Sequence, residues 1–173
     1  RRDAIELEAG PAAALPTRFG RFQCVAYRQP ALGVEHLAVF AGDLREQAAP
    51  MVRVHSECLT GEAFYSWRCD CRDQLDRALE RIAVAGVGAV IYLRQEGRGI
   101  GLAEKVRAYA LQDQGLDTVD ANLALNRGAD ERTYDVAALI LEDLGVRRLH
   151  LLTNNPRKVE GLRACGVDVV SRM

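Results

Sequence analysis

Three cysteines crowd into one short stretch of the sequence, "SECLTGEAFYSWRCDCRDQ" (56–74). They are Cys58, Cys69 and Cys71, spaced C-x10-C-x-C. Cys69 and Cys71, two residues apart, can point the same way from extended chain, and Cys58 can return to them across a loop that contains a glycine. Thiolates are common zinc ligands, and a helix that begins near Cys71 would favour thiolate over thiol. The stretch therefore predicts a metal site.

Local spacing leaves two kinds of metal site open. Structural zinc sites use four protein ligands, whereas catalytic sites usually use three and keep one position for water. His55 is the residue near enough in sequence to complete a closed Cys3His site. If the strand before the cluster continued to position 58, however, His55 and Cys58 would face opposite sides. The spacing favours the open site and leaves the closed one as an alternative.

The composition is that of a soluble globular chain able to bury a core, with 49% hydrophobic and 27% charged residues. A net charge of −1 gives no support to a nucleic-acid or membrane-surface partner. No apolar run approaches the roughly 20 residues that span a bilayer. Five cysteines are an odd number with no disulfide framework, so we expect a reducing, cytoplasmic location.

Hydrophobic periodicity indicates strands first and then an alternation of helices and strands. The predicted strands are 36–42, 51–57, 88–93, 148–153 and 167–170, and the predicted helices are 70–86, 102–115, 133–145 and one opened by Asn155 and Pro156. This order predicts an α+β (mixed α/β) fold, a single compact domain with a mixed sheet and flanking helices. We place that domain at 15–173, after a loose Ala/Pro-rich lead-in at 1–14.

A glycine-rich loop, "RQEGRGIG" (94–101), lies between a predicted strand and a predicted helix. Its backbone N–H groups could converge on an anion at the helix N-terminus, where Arg98 could bind phosphate oxygens. Glu96 suits the donor edge of a guanine, or a metal ion. An ordinary strand–helix turn has the same local pattern, so this loop alone does not decide the function.

Two further segments place polar residues before predicted helices. In "TNNPRK" (153–158), Asn155 can cap the helix and Pro156 fits its first position, so Thr153 and Lys158 could meet a ligand there. The alternative is a well-capped helix with a solvated lysine. "GADERTYD" carries Asp130 and Arg132, a pair that by itself is typical of a cap plus a surface salt bridge.

Taken together and in order, these motifs resemble the GTP cyclohydrolase II family, whose members catalyse the first step of riboflavin synthesis. The resemblance rests on "RVHSECLTGEAFYSWRCDC", "RQEGRGIGLAEKVRAYALQDQGLDTVDAN", "DER" and "LLTNNPRK", and covers roughly residues 15–170. It implies zinc-dependent hydrolysis of GTP that opens the guanine imidazole ring and releases formate and pyrophosphate. The implied product is 2,5-diamino-6-ribosylamino-4(3H)-pyrimidinone 5′-phosphate.

The resemblance also implies roles for individual residues. Cys58, Cys69 and Cys71 would hold one zinc ion with water in the open position, so that His55 is not a ligand. The GTP-binding positions would be Arg53, Val54, His55, Ser56, Glu57, Gln74, Glu96, Gly97, Arg98, Thr118, Thr153 and Lys158. Asp130 matches a proton acceptor, Arg132 a proposed nucleophile toward the α-phosphate, and Tyr109 a tyrosine that completes the reaction on the opened ring.

We expect a different role for Arg132 from the one that the family assigns. A guanidinium stays protonated and is a poor nucleophile. Loss of pyrophosphate needs charge neutralisation, from Arg98, Arg132, Lys158 and Mg2+. We therefore predict that Arg132 stabilises charge on the transferring phosphoryl group.

Two other functions stay open on the sequence. A paralogue could stop at the formylated, ring-opened pyrimidine and serve secondary metabolism, and a non-catalytic nucleotide-binding module could hold a closed structural zinc. Asn126 and Arg127 depart from the family pattern just before Asp130. The family also implies a homodimer, and fusion to another riboflavin enzyme upstream is a further alternative.

Overall fold

The computed structural model describes residues 5–96, 101–115 and 131–173, with the backbone alone at 131–133. These residues form a mixed eight-stranded sheet with flanking helices, which confirms the predicted α+β fold class. The strands are β1 (Glu8–Ala9), β2 (Ala13–Thr17), β3 (Gly20–Gln29), β4 (Val34–Ala41), β5 (Met51–Ser56), β6 (Gly88–Leu93), β7 (Arg148–Leu151) and β8 (Asp168–Arg172). The helices are α1 (Leu59–Glu62), α2 (Cys71–Ala85), α3 (Leu102–Asp113), α4 (Glu131–Asp143) and α5 (Pro156–Ala164), with a 3-10 turn at Leu44–Glu46.

The sheet has an antiparallel half, β1–β4, and a parallel half, β5–β8. The strand order is β1-β3-β4-β6-β5-β7-β8, and β2 pairs with β3. β6 joins the halves, because it pairs antiparallel with β4 and parallel with β5. The parallel strands all end on one side of the sheet, which we call the carboxyl edge. Ligands of α/β proteins bind outside the carboxyl ends of such strands.

Helices cover both faces of β6, which explains why its sequence is a continuous apolar run. Ala89, Ile91 and Leu93 belong to the core cluster that contains α4 and α5. Val90 points to the opposite face and belongs to the cluster that contains α2. Fully burying a side chain such as Ile91 or Leu93 stabilises the fold by roughly 1.5–3 kcal/mol. The site strands are thus held by a core on each side.

Part of the segment that was expected to be a loose lead-in is strand. β1 and β2 pair in succession with the same edge of β3, through registers such as Ala13↔Cys24. Alanine and proline are weak strand formers, so the sequence did not indicate these strands. Pro16 is tolerated because β2 has a partner on one side alone. The pairing with β3, rather than local propensity, therefore decides the structure here.

β3 was also missed, because its apolar residues do not share one face. Phe22 belongs to the core cluster of α2, whereas Val25 and Tyr27 belong to that of α4 and α5. A strand whose apolar residues change face has no clean period of two. The sequence did not indicate the short helix α1 or the 3-10 turn either, and the other helices and strands lie within a few residues of their predicted positions. No helix in the described part of the chain has the length and apolarity that a bilayer span requires.

Candidate metal centre

The three cysteines of the sequence motif meet at the carboxyl edge of the sheet. Their Sγ atoms all lie within 4.8 Å of one another. Cys58 is the N-cap of α1, two residues after β5 ends, and Cys71 is the first residue of α2. The Sγ atoms of Cys58 and Cys69 are 3.5 Å apart. Two thiolates each about 2.3 Å from a tetrahedral zinc ion would be about 3.8 Å apart, so the observed spacing suits zinc.

Gly61 makes room for the sulfur cluster. A methyl group at this position would lie 2.7 Å from Cys69 Sγ and 3.3 Å from Cys58 Sγ. Real Cβ contacts are longer than the first of these distances, so a larger residue would displace a sulfur. The short helix α1 can approach the sulfurs because it carries a glycine there. A soft donor set in a cradle of this shape fits a zinc ion.

His55 is held away from the sulfurs by two charged neighbours. Its Nδ1 accepts a hydrogen bond from Arg53 Nε at 3.3 Å, and its Nε2 lies 2.8 Å from Glu62 Oε2. These partners assign the proton to Nε2. Burial lowers the pKa of His55, although the hydrogen bond to Glu62 opposes that effect. With both ring nitrogens engaged, His55 is not placed to close a Cys3His site.

Glu62 links the chain segment that carries Cys58 to the parallel half of the sheet. Its Oε2 accepts the backbone N–H of Cys58 at 2.9 Å as well as Nε2 of His55, and its Oε1 accepts the hydroxyl of Tyr92. Sequence reasoning missed this residue. A signal was available, because a carboxylate one turn after a helix start can reach back to the N–H groups that the helix leaves unpaired. Glu62 thus holds the backbone of one predicted ligand.

Lys105 and Glu96 hold the same ligand from the other side. Lys105 Nζ lies 2.8 Å from Cys58 Sγ and 2.9 Å from Glu96 Oε1. Glu96 Oε2 accepts the backbone N–H of Leu59 at 2.8 Å. Both carboxylate oxygens of Glu96 therefore contact protein groups next to the sulfur cluster. Lys105 was also missed, since a lysine in a helical pattern normally signals an exposed position.

Neighbouring groups set the protonation of the sulfurs. The hydrogen bond with the Cys71 thiol lowers the pKa of Cys58 to about 3 against the opposing effect of burial, and the Lys105 ammonium adds to the lowering. The same hydrogen bond raises the pKa of Cys71. Burial alone would lower the pKa of Lys105, but its hydrogen bonds to Cys58 and Glu96 raise it. These contacts favour the thiolate form of Cys58, whose sulfur lies beside the Lys105 ammonium.

Arg53 connects the residues predicted to bind the nucleotide. It is 7% exposed, and its guanidinium donates to Gln74 Oε1 at 2.6 Å and to the Leu152 carbonyl at 3.1 Å. Gln74 lies in the first turn of α2, so this contact joins that helix to β5. Lys158 Nζ donates to the carbonyl of Val54 at 3.2 Å. The structure thus brings four of the predicted positions together at the carboxyl edge.

The remaining described positions of that set lie close by. Glu57 Oε2 is 3.6 Å from Arg94 Nε, and burial raises the pKa of Glu57 although Arg94 opposes this. Ser56 ends β5 and is partly buried. Thr153 is buried, and its Oγ1 accepts the N–H of Asn155 at 3.0 Å. Asn155 caps α5 as predicted.

Tyr109 is two contacts from the sulfur cluster. Its hydroxyl lies 3.2 Å from Thr60 Oγ1, which in turn lies 3.7 Å from Cys58 Sγ. The guanidinium of Arg68 sits 4.5 Å above its ring. The tyrosine that the resemblance assigned to late chemistry is therefore near the predicted metal ligands.

Several predicted positions fall outside the described residues. These are Gly97, Arg98, Thr118, Asn126, Arg127 and Asp130. Arg132 belongs to the backbone of α4, and its side chain is not described.

The fold and the site together define a class of protein. Three thiolates meet at the carboxyl edge of a mixed α/β sheet, with the nearby histidine held by other groups. This arrangement is typical of a metal-dependent enzyme, because catalytic zinc sites use three protein ligands and structural ones use four.

The chain belongs to the GTP cyclohydrolase II family, whose model matches residues 8–173. It is 53% identical over 161 residues to GTP cyclohydrolase-2 of Actinobacillus succinogenes, covering 93% of this chain and 74% of the relative. It is also 53% identical over 161 residues to riboflavin biosynthesis protein VVA0006 of Vibrio vulnificus, covering 93% of this chain and 44% of the relative. The chain thus spans less than half of one relative and about three quarters of the other.

A solved structure shares the fold. RibBX of A. baumannii, a two-domain 3,4-dihydroxy-2-butanone 4-phosphate synthase, matches with a TM-score of 0.57 at 23% identity. The match covers 96% of this chain and 39% of that one. At this identity the likeness concerns the fold alone. The sequence comparisons, and not this structural match, confirm the family that the motifs resemble.

Proposed function

We propose that this chain catalyses the zinc-dependent hydrolysis of GTP, opening the guanine imidazole ring and releasing formate and pyrophosphate. The product would be 2,5-diamino-6-ribosylamino-4(3H)-pyrimidinone 5′-phosphate, the first intermediate of riboflavin synthesis. One observation carries the proposal: in a member of this family, the sulfurs of Cys58, Cys69 and Cys71 lie within 4.8 Å of one another at the carboxyl edge.

The three cysteines would hold the zinc ion. Bound there, zinc supplies Lewis acidity and lowers the pKa of water towards neutrality. The chain's own residues position this chemistry. Glu62 holds the Cys58 backbone, Lys105 contacts its sulfur, and Gly61 leaves the space that the sulfurs occupy. Such supporting contacts fix ligand geometry and typically affect metal affinity or activity by 10–100-fold.

The guanine and ribose would lie along the carboxyl edge beside the sulfurs. The proposed GTP contacts among the described residues are Arg53, Val54, His55, Ser56, Glu57, Gln74, Glu96, Thr153 and Lys158. Support comes from the hydrogen bonds that join Arg53 to Gln74 and Lys158 to Val54. Gly97, Arg98 and Thr118 join the set from the family resemblance.

The phosphates would meet the cationic side of the site. The N-terminus of α5 presents Lys158, and the positive charge of its side chain together with the helix dipole attracts an anion. From the family resemblance, Asp130 would accept a proton, and Arg132 with Mg2+ would stabilise charge during loss of pyrophosphate. Tyr109 would act on the opened ring, and its hydrogen bond to Thr60 beside Cys58 supports a place near the reacting atoms.

The test is incubation with GTP, Zn2+ and Mg2+, followed by mass analysis of every product. We expect formate, pyrophosphate and the diaminopyrimidine in equal amounts, and none of them after the metal is removed by a chelator. A formylated, ring-opened product without formate would point to the paralogue instead. Zinc bound without any turnover of GTP would point to the nucleotide-binding module. Homodimerisation, a cytoplasmic location and an upstream fusion stay predictions.

A further inference from the structure

Lys105 is a buried cation to which the proposed function assigns no role beyond its contact with the Cys58 sulfur. It is 7% exposed, in the first turn of α3, and its Nζ contacts Cys58 Sγ and Glu96 Oε1. Removing a charge from water is costly unless partners compensate it. Both contacts of this ammonium are with groups that carry negative charge when ionised. The burial of this ammonium therefore needs a functional explanation.

The choice of lysine is itself informative in this sequence. Among the 23 basic residues, Lys105 and Lys158 are the only lysines. An ammonium is a compact point charge, whereas a guanidinium is a planar fork suited to paired acceptors. The space between a sulfur at 2.8 Å and a carboxylate at 2.9 Å suits the compact group.

The charge of the sulfur cluster supplies the reason. Three thiolates around a divalent ion leave one net negative charge, and electron-rich sulfurs weaken the ion as a Lewis acid. A cation that donates a hydrogen bond to one sulfur draws charge from it. Hydrogen bonds to ligand atoms tune metal sites in this way.

We propose that Lys105 is a positioning residue of the metal centre, whose ammonium holds the Cys58 sulfur and compensates the charge of the three thiolates. This role rests on the proposed zinc site. Lys105 binds the ligand's sulfur, while Glu96, which pairs with Lys105, accepts the N–H of the next residue, Leu59. The pair therefore fixes Cys58 through both its side chain and the adjacent backbone. It also links α3 to the chain segment that carries Cys58.

The test compares cobalt-substituted proteins, because Co2+ bound by thiolates gives a sulfur-to-metal charge-transfer band in the near ultraviolet. In Lys105→Met the sulfur loses its hydrogen bond, its electrons rise in energy, and the band moves to longer wavelength. Lys105→Arg keeps a cationic donor, so its band stays closer to that of the wild-type chain. A Lys105→Met band at the wild-type wavelength would overturn the proposal and leave Lys105 a purely structural ion pair.

Two further measurements keep the outcomes distinct. Circular dichroism checks that each variant folds, and Lys105→Gln replaces Lys105→Met if the latter does not. Steady-state kinetics with GTP and zinc should show kcat lower by about 10–100-fold in the neutral variant with a smaller change in KM. The cobalt spectrum does not depend on turnover, so it decides the role of Lys105 even if GTP is not the substrate. Failure of the wild-type chain to bind cobalt would overturn the metal site and this role together.

Discussion

The two halves of the sheet each bury a histidine, but they surround it differently. In the antiparallel half, His36 is 1% exposed and contacts neutral groups: its Nε2 lies 3.2 Å from Gln29 Oε1, and its Nδ1 accepts the backbone N–H of Arg94. In the parallel half, His55 is 2% exposed and lies between the charged side chains of Arg53 and Glu62. The two histidines are therefore equally buried, but charged side chains contact His55 and neutral groups contact His36.

The different partners of the two histidines show which contacts folding requires and which go beyond that requirement. A buried imidazole needs hydrogen-bond partners, and neutral groups satisfy His36 fully. The charges around His55 exceed that need, and they continue through Glu62 to the backbone of Cys58. Charged groups gathered in a buried place are common at functional sites. The charged contacts and the sulfur cluster thus lie together at the parallel half, where the proposed function places the chemistry.

The largest expected contrast is between two cysteines. Cys69→Ser removes one of the three proposed sulfur ligands and should abolish both zinc binding and ring opening. Cys24→Ser, in β3 of the antiparallel half, should leave both unchanged, because Cys24 packs against the core cluster of α2 and not against the sulfurs. Zinc content by mass spectrometry and formate release check both variants. Activity in Cys69→Ser would disprove the metal assignment.

A second contrast concerns the partners of the two histidines. Glu62→Ala leaves the Cys58 N–H, the His55 Nε2–H and the Tyr92 hydroxyl without their acceptor. We expect the free energy of unfolding to fall by about 3 kcal/mol. Gln29→Ala removes one neutral partner of His36 and should cost about 1 kcal/mol. Urea unfolding of the metal-free proteins measures both values. Equal losses would mean that the charged network adds no more to the stability of the fold than the neutral contact of His36 does.

A third contrast uses two glycines. Gly61→Ala places a methyl group 2.7 Å from Cys69 Sγ, so a sulfur must move and zinc affinity should drop about tenfold or more. Gly10→Ala, beside β1, meets its nearest atom at 3.5 Å and should bind zinc as the wild type does. Competition with a chromophoric chelator gives the two affinities. Wild-type affinity in Gly61→Ala would show that the cradle is looser than the structure indicates.

The smallest expected effect is the pH dependence of stability. Burial lowers the pKa of both His36 and His55 in the folded protein, with Arg94 adding to the lowering at His36. The unfolded chain therefore binds more protons below about pH 6.5, and stability falls as the pH drops from there towards the folded pKa values. Each histidine contributes a slope of at most about 1.4 kcal/mol per pH unit.

The variant His36→Gln isolates one share of that slope. It should flatten the pH dependence between pH 7.5 and pH 5.5 while His55 maintains the remainder. Urea unfolding of the metal-free protein at several pH values measures the change. An unchanged slope in His36→Gln would show that this imidazole does not titrate differently in the folded and unfolded states.

Sequence patterns predicted the helices and strands correctly where the local periodicity agrees with the long-range packing. The apolar run of β6, the amphipathic α2 with its glycine stop, and the Asn155–Pro156 start of α5 lie close to their predicted positions. The grouping of Cys58, Cys69 and Cys71 was predicted in the same way, since all three lie within one short segment. β1 and β2 were missed because pairing between strands, and not local composition, forms them, and β3 was missed because its apolar residues do not share one face.

The amino-acid sequence by itself therefore determined the fold class, the family and the grouping of the three cysteines that could hold a metal ion. Only the tertiary structure decided which groups surround those sulfurs. It hydrogen-bonds His55 to Arg53 and Glu62, and it brings Lys105, 47 residues away in the chain, into contact with Cys58. Such contacts join separate elements, and their geometry depends on how β5, α1 and α3 pack. Sequence spacing constrains neighbours along a strand or helix, whereas buried charge pairs between elements are defined by the packed fold.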